Sequence, residues 1–167
     1  MPEITAGFNR TPPIPASLHR VALVVAHFVR GIYWRVFHPR IYGCNVVVTN
    51  PAGEVLLIRH TYRDFAKWML PGGGVRRRER PEEAGAREVL EETACRLAET
   101  ALVRVEHSRD TGARMRIYVL TGTTTDAPVA DLREISEARF FSLDAIPDTI
   151  TRAARRRVEV ALAASAG

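Results

Sequence analysis

Lysine is nearly missing from this sequence: Lys67 is the single one, and the other 23 of its 24 basic residues are arginine. Against 19 acidic residues they leave a net charge of +5. A guanidinium fork matches phosphate oxygens two at a time, so phosphate is a natural partner, although a GC-rich coding bias alone would produce the same skew. Cysteine is as scarce. Cys44 and Cys95 each lie in an apolar stretch, which excludes a disulfide framework and a cysteine-based metal site and points to a reducing cytoplasm. Aromatic residues are sparse and form no platform of the kind that stacks RNA bases, and no DNA partner is expected. The opening MPEITAGFNRTPPIPAS lacks a basic stretch leading into an apolar run, so it does not read as a secretory signal. From Leu18 to Phe37 the chain turns apolar, but His19, Arg20, His27, Arg30 and Arg35 interrupt it short of a membrane span.

What is present suits a soluble globular protein. With 46% hydrophobic and 26% charged residues, 167 positions suffice for one domain and a short extension, and are too few for two ordinary domains. We divide the chain into an extension over residues 1–38 and a domain over 39–167. In the extension, Leu18, Val21, Val25, Val29, Ile32 and Val36 fall on one side of a helix at about 100° per residue, and the charged positions on the other. This predicts an amphipathic helix from about Ala16 to Phe37. Its apolar stripe needs a cover: the domain itself, a second copy in a homodimer, or a membrane surface on which the protein would be peripheral.

Beyond HPRIYG, β-branched and alternating runs take over. GCNVVVTN, a PAGE turn and VLLIRHTY predict a hairpin, and KWMLPGGG a strand end running into a glycine loop. PEEAGAREVLEETACRLAE is helical in pattern, with Pro81 suited to the first helical position. ALVRVEHSR, RMRIYVLTGTT and ARFFSLDAI predict three more strands, and Thr151–Ala164 a closing helix. Strands on both sides of a central helix indicate an α/β fold, a sandwich around a mixed sheet.

The chemistry concentrates in residues 71–95. Glu88, Glu91 and Glu92 stand at i, i+3 and i+4, so their carboxylates project from one face of the helix. A solvated acidic face is one reading. The other is a hard-oxygen site for Mg²⁺ or Mn²⁺, in which coordination turns the mutual repulsion into binding. Gly72, Gly73 and Gly74 precede the helix and allow the backbone to approach that face closely.

Gly73, five residues, Glu79, seven residues, then Arg87, Glu88, Val89, Leu90, Glu91, Glu92 and Thr93 make a pattern that resembles the Nudix box of the Nudix hydrolases. The resemblance extends outward through WMLPGGGV and EISEARFFSLDAIP and covers roughly Tyr42 to the end. It departs from the box in three places. Ala94 stands where the family has a final glycine, so that either the helix continues or a left-handed turn there costs about 1 kcal/mol. Arg76, Arg77 and Arg78 put basic side chains beside the loop. Arg80 offers no short side-chain cap to the helix.

The resemblance implies a Nudix-type α/β/α sandwich and a Mg²⁺- or Mn²⁺-dependent hydrolase. Its substrate would be a nucleoside diphosphate linked to another moiety, such as a nucleoside triphosphate, cleaved at a phosphoanhydride bond by water. Carried over, Glu88, Glu91 and Glu92 are metal ligands, with the carbonyl of Gly72 or Gly73 as a further one. Glu79 and Arg87 become the supporting pair that orients carboxylates. The general base is Glu88, Glu91 or, from a loop, Glu134. Arg76, Arg77 and Arg78 become candidates for holding phosphate. A Trp beside a strand is more often packing than a base platform, so Trp68 is left out. The competing reading is a non-catalytic nucleotide-binding Nudix module, against which the complete acidic set speaks.

Overall fold

The computed structural model describes residues 40–61, 66–110 and 113–165; the expected helix over residues 16–37 lies outside them. In chain order the elements are β1 (Arg40–Thr49), β2 (Val55–His60), α1 (Pro81–Thr93), β3 (Glu99–Asp110), β4 (Ala113–Thr123), β5 (Ile135–Phe141), a 3₁₀ turn (Leu143–Ala145) and α2 (Arg152–Ser165). One mixed sheet runs in the order β3-β4-β1-β2-β5. β1 and β4 pair in parallel from Arg40↔Arg114 to Thr49↔Thr123, and the other pairs are antiparallel.

Alternation along the central strands sends side chains to both faces, and each face is roofed by one helix. Val46 and Val48 of β1 and Leu56 of β2 join Ala84 and Val89 of α1, with Leu120 of β4, in one core. Val47, Val55 and Leu57 point the other way, onto Trp68, Leu70, and Ala154, Val158 and Ala161 of α2. Burying each of these Val, Leu or Ile side chains contributes about 1.5–3 kcal/mol, which ties both helices to the sheet. Trp68 is a packing residue: its ring meets Phe141 edge to face at 4.8 Å, and the Arg59 guanidinium lies 4.5 Å over it.

The expected hairpin forms at its turn, and then its strands part. Asn50 closes the turn, its Oδ1 accepting from the backbone N–H of Ala52 and Glu54, with Gly53 at φ 76°. The only β1–β2 register pair is Thr49↔Val55. Residues 69–73 enter the gap. Ile58 and Met69 exchange both backbone hydrogen bonds at 2.9 Å, while Val46 N–H donates to Pro71 O and Cys44 N–H to Gly73 O, each at 2.9 Å. The glycine loop is thus held between two strands as an extra rung, and this fixes it against α1.

The helix expected to run to Glu99 ends at Thr93. Ala94 takes the left-handed conformation, φ 59° and ψ 8°, and donates its N–H to Leu90 O at 3.0 Å. Of the two outcomes open for Ala94, the chain adopts the strained turn. At the other end, no side chain caps α1 from Arg80; Glu83 Oε2 accepts the Arg80 N–H at 3.3 Å instead. The strand expected over 138–146 begins at Ile135 and stops at Phe141, where Ser142 leads into the 3₁₀ turn. α2 starts as expected, and Thr151 Oγ1 accepts the Ala154 N–H at 3.3 Å. Among the described residues, no helix is long and apolar enough to cross a membrane.

Candidate functional site

The i, i+3, i+4 spacing on α1 places Glu88, Glu91 and Glu92 together, and the fold adds a second wall. A cavity of about 310 Å³ is lined by Glu88, Glu91 and Glu92 from α1 and by Asp131, Arg133 and Glu134 from the loop before β5. Glu134, the loop candidate, is therefore brought to the acidic face. The loop is held in shape by Asp131, whose Oδ1 accepts the backbone N–H of Arg133, Glu134 and Ile135 at 3.0, 3.0 and 2.8 Å. It is pinned to the end of β2, where Thr61 N–H donates to Glu134 O at 2.8 Å and Thr61 Oγ1 donates to Arg133 O at 2.7 Å. Asp131 and Arg133 were not among the sequence candidates. No local pattern in TTTDAPVADLRE marks them, because only the pairing of β2 with β5 carries this loop to the helix.

Glu92 is 8% exposed, and Gly72 donates its N–H to Glu92 Oε2 at 3.0 Å. Burial pushes its carboxyl up to about 8 against that hydrogen bond, and the charges of Glu88, Glu134 and Asp131 add to the rise. Burial also raises Glu88, with the Arg87 hydrogen bond opposing it. Glycine is required on the loop. A Cβ at Gly73 would sit 2.5 Å from the Glu88 carboxyl, and Gly72, at φ 149°, would put one 2.2 Å from Cys44 O.

Arg87 stands among the acids as their internal cation. Its Nε and Nη2 donate to Glu79 Oε1 and Oε2 at 2.8 and 3.1 Å, a bidentate clamp, and Nη2 also donates to Gly74 O at 3.0 Å. Its Nη1 donates to Glu88 Oε1 at 2.7 Å and reaches Glu91 Oε2 at 3.4 Å. The guanidinium holds Glu79 down to about 2. Glu79 also accepts the Arg76 N–H at 2.8 Å, so the pair ties the loop to the helix. Glu91 is the most open of the three helix acids, its side chain 54% exposed.

Arg76, Arg77 and Arg78 are exposed. Arg76 Nη2 reaches within 3.8 Å of Glu91 Oε1, at the border of the acidic cavity. Arg78 holds φ 69°, unusual for a residue with a side chain.

The donor set suits a hard divalent cation: carboxylate oxygens from two elements around a polar cavity, and a loop whose missing side chains leave the Glu88 carboxyl room. Among the described residues no three Asp, Glu, His or Cys side chains converge as a cage, and Arg87 bridges Glu79, Glu88 and Glu91.

A model of the NUDIX domain matches residues 39–161, and the chain belongs to that family. It is 41% identical over 63 residues to a Bacillus subtilis (strain 168) protein provisionally named 8-oxo-dGTP diphosphatase, a match covering 38% of this chain and 41% of that one. Over 82 residues it is 41% identical to diphosphoinositol polyphosphate phosphohydrolase 2 of Rattus norvegicus, covering 48% of this chain and 45% of that one. The chain spans less than half the length of these curated relatives. Among solved structures, MutT NUDIX hydrolase from Burkholderia pseudomallei superposes with a TM-score of 0.63 at 27% identity, covering 72% of this chain and 96% of that one. The MutT protein from Methanosarcina mazei Go1 gives 0.63 and 27%, covering 74% and 93%.

Proposed function

We propose that the protein is a pyrophosphohydrolase that cleaves a phosphoanhydride bond in a nucleoside diphosphate linked to another moiety, using Mg²⁺ or Mn²⁺. One observation carries the reading: the glycine loop is fastened to Glu92, and Glu92 lines one cavity with four further carboxylic acids, Glu88 and Glu91 from α1 and Asp131 and Glu134 from the loop before β5. Arg87 and Arg133 offset only part of that negative charge, and a bound divalent cation would offset the rest.

Glu88, Glu91 and Glu92 would hold the metal, with the carbonyl of Gly72 as a further ligand. Bound there, the metal supplies charge neutralisation of the diphosphate and polarisation of the phosphoryl oxygens. The chain's own residues do the rest. Arg87, gripped by Glu79, fixes the directions of the Glu88 and Glu91 carboxylates. Glu134 lines the cavity with the helix acids and would accept the proton of an attacking water; Glu88 and Glu91 are the helix alternatives. Arg76, Arg77 and Arg78 hold the polyphosphate from the loop side. The buried, unpaired Cys44 and Cys95 suit a reducing, cytoplasmic setting.

The test is a panel of the four deoxynucleoside triphosphates, 8-oxo-dGTP, ADP-ribose and UDP-glucose, with Mg²⁺ or Mn²⁺ and products identified by mass. Cleavage of at least one at a phosphoanhydride bond is expected. Tight nucleotide binding without turnover of any would replace the enzyme by a binding module.

A further inference from the structure

The sheet face that packs on α1 is left open toward its edge strand. Leu102 of β3 stands opposite Leu120, a member of the α1 core, and Val105 stands opposite Tyr118, which packs against that core. Side chains three residues apart in a regular strand point to opposite faces. The bulge between Leu102 and Arg104 takes up one residue and turns Leu102 and Val105 to the same face. Neither is roofed: Leu102 is 44% and Val105 37% exposed. Tyr42, two residues before the buried Cys44 on β1, continues the strip at 40% exposure. Leu90, about 160° round α1 from both Glu88 and Glu92, is 43% exposed on the side of the helix away from those acids.

The chain's own extension reaches this strip. The helix expected from about Ala16 to Phe37 lies outside the described residues, and β1 begins at Arg40. Only His38 and Pro39 separate the two, so Phe37 lies within about 11 Å of Arg40 and the segment's last turn is held near Tyr42. Leu18, Val21, Val25, Val29, Ile32 and Val36 would fall within an arc of about 80° and along about 27 Å of that helix, a stripe narrow enough for a strip of this width. So short a tether holds the stripe at an effective concentration of about a millimolar, which favours it over a free second copy.

We propose that residues 16–37 form a helix that docks its apolar stripe in cis on Tyr42, Val105 and Leu102, beside α1 and over the open part of the sheet. Two apolar surfaces of one chain, each costly to leave in water, are thereby removed from it together, and Arg20, Arg30 and Arg35 stay on the solvent side. The metal-site acids lie on the other side of α1 from Leu90, so the docking does not depend on the hydrolase reading.

The experiment follows hydrogen exchange of residues 16–37 by mass spectrometry in the full chain, with sedimentation to fix its mass in solution. Wild type should be a monomer in which those amides are protected. Leu102→Asp, distant in sequence, should speed their exchange about tenfold or more, whereas Leu143→Asp, at an exposed leucine of the 3₁₀ turn, should leave it unchanged. Val29→Asp and Leu102→Asp should each lower the melting temperature by about 3–6 °C, and the double variant by little more than either alone, because both break one contact. If Leu102→Asp fails to fold, Val105→Asp on the same face takes its place. Unprotected amides in wild type, exchange indifferent to the variant on β3, or fully additive losses overturn the proposal. A dimer that the β3 variant dissociates overturns it in favour of a second copy, and protection gained only on phosphatidylserine vesicles overturns it in favour of a membrane surface.

Discussion

Replacing Glu92 by Gln should stabilise the metal-free protein while disabling it. The folded state holds the Glu92 carboxyl at about 8, far above its ordinary value of 4.5, because burial disfavours the charge. A carboxyl raised in this way binds its proton more tightly folded than unfolded. It therefore costs the folded state nothing below the unfolded value, about 1.4 kcal/mol per pH unit between the two values, and a constant amount above the folded one. At pH 7 the cost is at most about 3 kcal/mol. Gln keeps the shape and still offers an oxygen to the Gly72 N–H, so the substitution removes the cost and keeps the bond. In EDTA at pH 7 the melting temperature of Glu92→Gln should exceed that of wild type by up to about 10 °C, the gain shrinking to nothing as pH falls toward the unfolded value. With Mg²⁺ present, turnover should drop by orders of magnitude. The measurement is a thermal melt in EDTA from pH 4 to 8. A melting temperature equal to or below wild type at pH 7–8 would refute the claim that this acid is buried against its own charge.

Ala94→Gly should stabilise the protein by about 0.5–1 kcal/mol, since the position already takes φ 59°, and should leave kcat/KM unchanged; a lower melting temperature would contradict the strained-turn account. Gly73→Ala should push the Glu88 carboxyl aside and reduce both kcat/KM and Mn²⁺ affinity at least about tenfold, read by kinetics and by electron paramagnetic resonance of free Mn²⁺. Changing Arg76, Arg77 and Arg78 together to Ala should raise KM more than it lowers kcat, with the difference narrowing as salt rises; kinetics unchanged at low salt would return these arginines to solvated surface.

The acidic helix was legible because an i, i+3, i+4 pattern needs no tertiary information: helix geometry alone puts Glu88, Glu91 and Glu92 on one face. The need for glycine at 73 was legible in outline, but its partner, the Glu88 carboxyl, was not. Strand runs from Gly43 to Asn50 and from Arg114 to Thr124 could be read from β-branched alternation, yet their parallel pairing could not, since local pattern does not say which strand lies beside which. For the same reason the parting of β1 from β2 was invisible: the wedge at residues 69–73 is a contact between segments distant in sequence. The over-long helix is a different case. TACRLAE has helix-forming residues, and what stops α1 is the left-handed backbone at Ala94, with Arg96 N–H held by Asp126 Oδ2 at 2.8 Å from thirty residues away. Asp131 escaped because it gains its meaning from partners that only the fold supplies.

The central claim, that the carboxylates of α1 and the loop before β5 form a metal-dependent site for attack of water on phosphorus, is tested most directly by hydrolysis in oxygen-18 water. The best substrate of the panel would be used with Mg²⁺, with Mn²⁺ and with EDTA. The account predicts turnover only with the metals and one heavy oxygen in a phosphate-containing product. Undiminished turnover in EDTA, or products in which no phosphate carries the label, would contradict it.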